Sequence, residues 1–321
     1  MTVWTVVLLI VGMALLIKGA DFFVDGSSSI AKALKIPSLI IGLTLVSIGT
    51  SLPEASVSIN SALAGMNDMS IGNAIGSNIF NTLLILGVSA ILIPLVIDKD
   101  MKKFDIPIMI AIYVLLLILS FVITPFKIDR WEGILMLVLF IAYLIFLVLR
   151  AKKSQTQTVE LVEEKQEKTK PVWLSIILVI VGGAGIIFGG QFVVDNASIM
   201  AKALGMSESL VGLTIVSIGT SLPELVTSIV AAIKKENDIA IGNVVGSNIF
   251  NVIFILGMSA TISPLTVISD TMVDMLVMLV SGIFLMAIAL FSKKVNKWQG
   301  ALMFVLYAGY LTYIILRNYA L

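Results

Sequence analysis

The sequence predicts an all-α membrane protein with ten transmembrane helices, arranged as two inverted-topology five-helix repeats. Three observations predict it. Hydrophobic residues make up 59% of the 321 residues and charged ones 13%, and the mean hydropathy is +1.09, well outside the shares of a soluble domain. The chain divides into ten apolar stretches, each near the roughly 20 residues that cross a bilayer as a helix. Its second half also repeats its first without a gap, 170 positions on: Asp25 aligns with Asp195, Lys32 with Lys202, Glu54 with Glu224 and Asn81 with Asn251.

The first stretch, 3–29, has neither a basic leader nor a small-residue cleavage site and reads as a retained helix rather than a signal peptide. The second, 37–64, carries "SIGTSLPEASVSIN", and the third, 70–97, carries "GNAIGSNIFN". Stretches 104–124 and 131–150 complete a first repeat spanning 1–150. The segment "AKKSQTQTVELVEEKQEKTK", 151–170, is the only long hydrophilic one and reads as a solvated cytoplasmic linker or surface helix. The second repeat, 171–321, contains stretches 171–199, 207–233, 239–266, 272–291 and 298–318. Trp131 and Trp298, at the starts of two stretches, read as anchors at the membrane boundary.

Five spans, an odd number, separate equivalent positions, so the halves cross the membrane in opposite senses. With the N-terminus outside, the cytoplasmic loops collect most basic residues, among them Lys99, Lys102, Lys103, Arg150, Lys234, Lys235, Lys293 and Lys294. The outer side keeps Lys127, Arg130, Lys202 and Arg317. The positive-inside rule then places both termini outside and the linker in the cytoplasm of a cell whose plasma membrane holds the chain. Inverted repeats are a transporter architecture, with the substrate site at mid-membrane where the halves meet.

The absence of cysteine and histidine removes disulfides, thiolate metal sites and the usual proton shuttle. Only oxygen ligands remain. The net charge of +1 and the scattered lysines suggest no nucleic-acid partner. Within the apolar runs Glu54 and Glu224 stand out, because an ionised side chain near the bilayer centre costs about 2.5 to 3.5 kcal/mol on insertion scales. No lysine or arginine lies at their depth, and Lys18, inside a span, has Phe188 as its repeat partner. A bound cation is the natural counter-charge. Pro53 and Pro223 free carbonyls near Gly49 and Thr50 and near Gly219 and Thr220, and on a continuing helix Thr50 shares a face with Glu54, as Thr220 does with Glu224. Asn73, Ser77 and Asn81 line one face of the next helix, as do Asn243, Ser247 and Asn251, beside Gly72, Gly76, Gly242 and Gly246 in small-xxx-small spacing. Such hard oxygen donors suit calcium and sodium.

Serine, threonine and asparagine also join membrane helices simply by hydrogen bonds, and Ser77 or Asn81 alone reads that way. The repetition of the whole set around two carboxylates points to a cation site. Asp21, Asp25 and Asp195 lie toward helix ends and read as interface or capping residues.

Two copies of "GTSLPE" followed by "GNxxGSNIFN" resemble the α-repeats of the cation/calcium exchanger superfamily, specifically its sodium/calcium exchanger branch, and the resemblance covers nearly the whole chain. It implies antiport of sodium against calcium by alternating access, usually exporting calcium. It implies a metal cluster of Ser47, Thr50, Ser51, Glu54, Ser77 and Asn81 with Ser217, Thr220, Ser221, Glu224, Ser247 and Asn251. In it the glutamates bind calcium with carbonyls of Thr50 and Thr220, while serines and carbonyls hold sodium. Relatives often have alanine at the positions of Ser47 and Ser217, and some carry aspartate at that of Asn251. Here the formal site charge is −2, which one calcium or two sodium ions neutralise. Large cytosolic regulatory domains of animal relatives are absent, as expected for a minimal prokaryotic-type exchanger. The expected partners are the transported ions and the lipid bilayer, the chain acting as a monomer without catalytic residues or a cofactor. The nearest rival is calcium/proton antiport, whose branches usually place an acidic residue where this chain has Ser77 or Ser247. A membrane enzyme using the glutamates as acid and base lacks a nucleophile, and a channel suits one central cluster less well than alternating access.

Overall fold

The computed structural model describes the backbone of residues 3–161, 170–205 and 217–319, and the side chains of these other than 154–161, Ser217, Ser269, Asn318 and Tyr319. Apolar runs that must satisfy their own backbone hydrogen bonds in hydrocarbon become helices. In chain order these are α1 (Val3–Leu34), α2 (Ser38–Thr50), α3 (Leu52–Leu63), α4 (Asn67–Leu92), α5 (Met101–Ile123), α6 (Arg130–Leu161), α7 (Val172–Ala203), α8 (Ser217–Thr220), α9 (Leu222–Ile233), α10 (Asn237–Ile262), α11 (Ser269–Phe291) and α12 (Lys297–Tyr319). Among the described residues, eight helices are each long and apolar enough to cross a bilayer, and α2 with α3 makes a ninth. α9 is shorter, and the expected stretch 207–233 is described only from Ser217 onward. The chain is an all-helical, multi-span membrane protein.

The expected single helix over 37–64 does not form: α2 and α3 meet at a 50° bend. Pro53 has no N–H for the carbonyl four residues back, and its ring crowds that turn. Ser51 leaves the helical region (φ −85, ψ 8), and α3 begins with the proline in its first turn, where a missing N–H costs nothing. Helix ends follow the repeat as well. Lys35 and Gly205 have φ of 52 and 94, and Gly65 and Lys235 have 75 and 63, so each repeat-related pair turns left-handed with glycine on one side and lysine on the other.

The spans richest in polar residues lie innermost. α10 is almost wholly buried and α4 largely so, whereas α1, α6, α7 and α12 expose most of their surface, as apolar side chains facing lipid require. Glycines let the central helices touch: a Cβ on Gly242 would stand 3.1 Å from Gly42 Cα, and one on Gly246 2.6 Å from Ser47 Oγ. Gly72 and Gly76 meet no described atom within 4 Å. α1 and α7 pack along each other through Gly12, Gly19 and Gly26 against Ser175, Gly182 and Gly189, every seventh residue.

Four two-residue strands tie the halves together. β1 (Leu95–Val96) pairs antiparallel with β4 (Lys294–Val295), and β2 (Lys127–Ile128) with β3 (Leu265–Thr266). At the helix ends, Arg150 binds Asp105 (2.8 Å) and Asp100 (3.2 Å), stapling α6 to α5. Arg317 binds Asp274 (3.1 Å) and Asp270 (3.6 Å), stapling α12 to α11. Trp131 and Trp298 stand exposed in first turns of α6 and α12, where the sequence expects boundary anchors. Asp21 and Asp25 are interface residues, both paired with Lys234.

Candidate cation site

Each glutamate stands in the first turn of a helix that follows a break. Ser51 and Ser221 occupy the breaks with nearly identical backbone angles. Glu54 and Glu224 follow three residues later, where the helix dipole favours negative charge. Both are 1% exposed. Read locally, S-L-P-E is a capping box in which serine and glutamate serve their own helix, yet neither helix has a side-chain cap. The bonds cross between the halves instead. Ser51 Oγ donates to Glu224 Oε1 at 2.8 Å, and Ser221 Oγ donates to Glu54 Oε1 at 2.9 Å. Ser247 Oγ lies 2.9 Å from Ser51 Oγ and Ser77 Oγ 3.1 Å from Ser221 Oγ, and the Ser247 hydroxyl also reaches the Ser47 carbonyl at 3.4 Å.

α4 and α10 enter this cluster side by side. Both widen into a π-helical turn, Phe80–Ile85 in α4 and Asn251–Leu256 in α10, a local irregularity common at functional sites. Asn81 donates to Asn248 Oδ1 at 3.2 Å and Asn251 to Asn78 Oδ1 at 3.0 Å. The threonine hydroxyls also reach across the halves: Thr50 Oγ1 lies 3.0 Å from Asn243 Oδ1, and Thr220 Oγ1 lies 3.4 Å from Asn73 Oδ1. Asn73 in turn donates to Ser58 Oγ (2.9 Å) and the Glu54 carbonyl (3.2 Å). Asn243 donates to Ser228 Oγ (3.0 Å) and the Glu224 carbonyl (3.4 Å).

The structure therefore brings Ser51, Glu54, Ser77, Ser221, Glu224 and Ser247 into one buried hydrogen-bonded cluster, and Asn81 and Asn251, four residues beyond Ser77 and Ser247, into an adjoining buried network with Asn248 and Asn78. Ser47 adjoins the cluster through its carbonyl, Thr50 is buried beside it, and Thr220 is partly open. The Ser217 side chain lies outside the described residues. Sequence reasoning passes over Asn78, Asn248, Ser58 and Ser228. Asn78 and Asn248 repeat 170 positions apart inside "GSNIFN", and Ser58 and Ser228 are related in the same way; that is the signal that finds them.

Four oxygens of the cluster and its adjoining network, Glu54 Oε2, Glu224 Oε2, Asn81 Oδ1 and Asn251 Oδ1, are buried without a hydrogen-bond partner. All belong to carboxylates or amide carbonyls, so they accept and do not donate. Buried acceptors left bare cost free energy, and no lysine or arginine forms an ion pair with either glutamate among the described residues. A hard cation with oxygen ligands is the kind of group that satisfies buried acceptors of this type and balances two carboxylate charges. Lys18 is exposed on α1, away from them. Beside the cluster a cavity of about 380 Å³ opens between α7 and the starts of α3 and α9, lined by Ser56, Gln191, Asp195 and Thr220 among apolar residues.

A family model described as "Sodium/calcium exchanger protein" matches residues 4–149 and 174–316. The chain is 40% identical over 266 residues to the inner membrane protein YrbG of Escherichia coli, covering 80% of this chain and 79% of that one. It is 32% identical to the sodium/calcium exchanger MaX1 of Methanosarcina acetivorans, covering 95% and 96%. Its fold matches the crystal structure of the sodium-calcium exchanger NCX_Mj soaked with zero Na+ and Ca2+, with a TM-score of 0.84, 32% identity, and 98% and 100% of the two chains covered. The chain belongs to the sodium/calcium exchanger family of cation/calcium antiporters, a transporter family rather than an enzyme family.

Proposed function

We propose that the chain exchanges sodium for calcium across the cell membrane by alternating access, with calcium extrusion driven by the inward sodium gradient. Glu54 and Glu224 hold calcium together with the carbonyls of Thr50 and Thr220. Ser47, Ser51, Ser77 and Asn81, with Ser217, Ser221, Ser247 and Asn251, complete the shells for calcium and sodium. The observation that carries this reading is the crossed pair of buried carboxylates, together with four buried acceptor oxygens on Glu54, Glu224, Asn81 and Asn251 that have no hydrogen-bond partner. Ser77 and Ser247 supply hydroxyls bonded to the opposite serines and no third carboxylate, which favours sodium over proton coupling.

The finer architecture belongs to the same reading. Ten spans form two inverted repeats, 1–150 and 171–321, about the cytoplasmic linker 151–170, with both termini outside and the chain acting as a monomer. Repeat-related hydrogen bonds and the swapped strand pairs support the symmetry, and the basic loops support the orientation. A bare site keeps two carboxylates uncompensated in low dielectric and resists occlusion. A loaded site passes between the two openings, and this difference couples the fluxes.

The test is calcium-45 uptake into proteoliposomes under an imposed sodium gradient or, separately, a pH gradient. Uptake that follows sodium and ignores pH is the expected outcome. Uptake that follows pH and ignores sodium transfers the chain to calcium/proton exchange.

A further inference from the structure

We propose that Asn78 and Asn248 are positioning residues: they decide which end of the Asn251 and Asn81 amides faces the carboxylate pair. The proposal rests on the cation-site reading above. A carboxamide has an oxygen at one end and an NH2 group at the other, and the two ends fill nearly the same space. Only the oxygen end stabilises a cation, and a half-turn about the last side-chain bond puts two N–H donors in its place. Packing alone does not choose between these orientations, so hydrogen-bond chemistry must.

The choice is made by the partners of Asn78 and Asn248, which on the Asn78 arm are atoms that only accept. Asn78 Nδ2 lies 3.0 Å from the backbone carbonyl of Asn248 and 3.6 Å from the Met278 sulfur. Neither atom carries a hydrogen, so the NH2 end of Asn78 faces them and its Oδ1 turns to Asn251. Asn251 then has to present its own NH2, at 3.0 Å, and its Oδ1 is left on the far side, buried and partnerless. The mirrored arm runs the same way. Asn248 Nδ2 lies 3.6 Å from the Met109 sulfur and 2.8 Å from Thr82 Oγ1, its Oδ1 accepts from Asn81 at 3.2 Å, and Asn81 Oδ1 is the bare atom. All four asparagines are at most 1% exposed, so bulk water does not offer an alternative partner. The first arm ends on a carbonyl and the second on a hydroxyl, which donates as readily as it accepts. Polarity is therefore held more firmly at Asn251, and that arm is the one to test.

The experiment measures calcium-45 binding to the full-length protein in detergent, beside the uptake assay. Asn78→Leu keeps the volume and removes the polarity signal, and calcium affinity is expected to fall about tenfold, the worth of one oriented polar contact. Adding Asn251→Asp to that variant is expected to bring affinity back to that of Asn251→Asp alone, because a carboxylate offers oxygen at both ends. A role confined to helix packing produces no such rescue. The proposal is overturned if Asn78→Leu binds calcium within about twofold of the wild type, or if the double variant is as weak as the single one. Should Asn78→Leu yield no folded protein, Asn78→Ala is put through the same rescue with the same criteria. A wild type that binds no calcium overturns this proposal together with the site reading. Binding without sodium-driven uptake removes only the sodium coupling and leaves this proposal to its own result.

Discussion

Two glutamates face each other across the halves, each held by the other half's serine, and their charge is the expensive feature of the cluster. Glu54→Gln and Glu224→Gln are each expected to lower calcium uptake by about a hundredfold or more, since removing one partner from a buried charge arrangement costs about 3 to 5 kcal/mol. The same substitutions remove an uncompensated buried charge, so without calcium they should raise the melting temperature in detergent while abolishing the further rise on adding calcium. Retained transport in both variants would remove the paired-carboxylate mechanism. At this scale the sequence is informative where polarity is out of place. A carboxylate in an apolar run is costly wherever it points, so Glu54 and Glu224 declare themselves. Asn78 and Asn248 do not: in membrane helices an asparagine that orients another side chain looks the same as one that joins two helices, and only their donor and acceptor geometry separates the roles.

The all-helical, multi-span character is legible because hydrocarbon leaves the backbone few options, but departures from regularity are not. The break at Ser51 follows from Pro53, yet the proline does not say that Ser51 then reaches Glu224 rather than capping its own helix. The π-helical turns at Phe80–Ile85 and Asn251–Leu256 have no marker in composition or spacing. The glycines and serine at every seventh position of α1 and α7 are visible in the sequence once the two helices are known to touch. Each of these helices has 32 residues, about 48 Å at 1.5 Å per residue against a hydrocarbon core of roughly 30 Å. A Cβ on Gly182 would stand 2.5 Å from Phe23 N and 2.7 Å from the Gly19 carbonyl, and backbone atoms cannot step aside as a flexible side chain can. Gly182→Leu is therefore expected to force α1 and α7 apart and to destabilise the fold by about 3 kcal/mol, at the upper end for overpacking. Gly309→Ala, in α12 with open space around it, should be neutral or stabilising by up to about 1 kcal/mol through helix propensity. Thermal melts in one detergent compare the two, and equal losses would show that close approach is not what Gly182 serves.

At the scale of the whole molecule, the repeat is broken where α9 meets α1. Lys234, just past α9, binds Asp21 (2.6 Å) and Asp25 (2.5 Å) on α1, and Ser28 donates to Glu236 at 2.5 Å. The positions 170 earlier or later are Ala64 for Lys234, Met66 for Glu236 and Gln191 for Asp21, so these residues cannot repeat the same pairings in the other half. There Gln191 and Asp195 line the cavity that reaches Thr220. Among the described residues the ion pairs fasten one end, while a cavity lies at the repeat-related positions of the other; under the proposed exchange mechanism such a difference biases which end opens. Burial works against the Lys234 ammonium, but its hydrogen bonds to Asp21 and Asp25 outweigh it and hold the pKa above the ordinary lysine value. With the folded pKa raised, these ion pairs contribute fully below the ordinary lysine value of about 10.4 and are lost only as pH rises through the higher one. Because the native chain has no cysteine, single probes report on each end: Ser27→Cys on the buried face of α1 and Ser56→Cys in the cavity. Lys234→Ala should raise maleimide labelling of the first and lower that of the second by about fivefold, as partly exposed ion pairs are worth about 1 kcal/mol together. In the unsubstituted chain the ratio of the two rates, corrected for maleimide chemistry, should stay flat from neutrality to about pH 10. Unchanged labelling at both probes in Lys234→Ala would show that these ion pairs join helices without biasing which end is open.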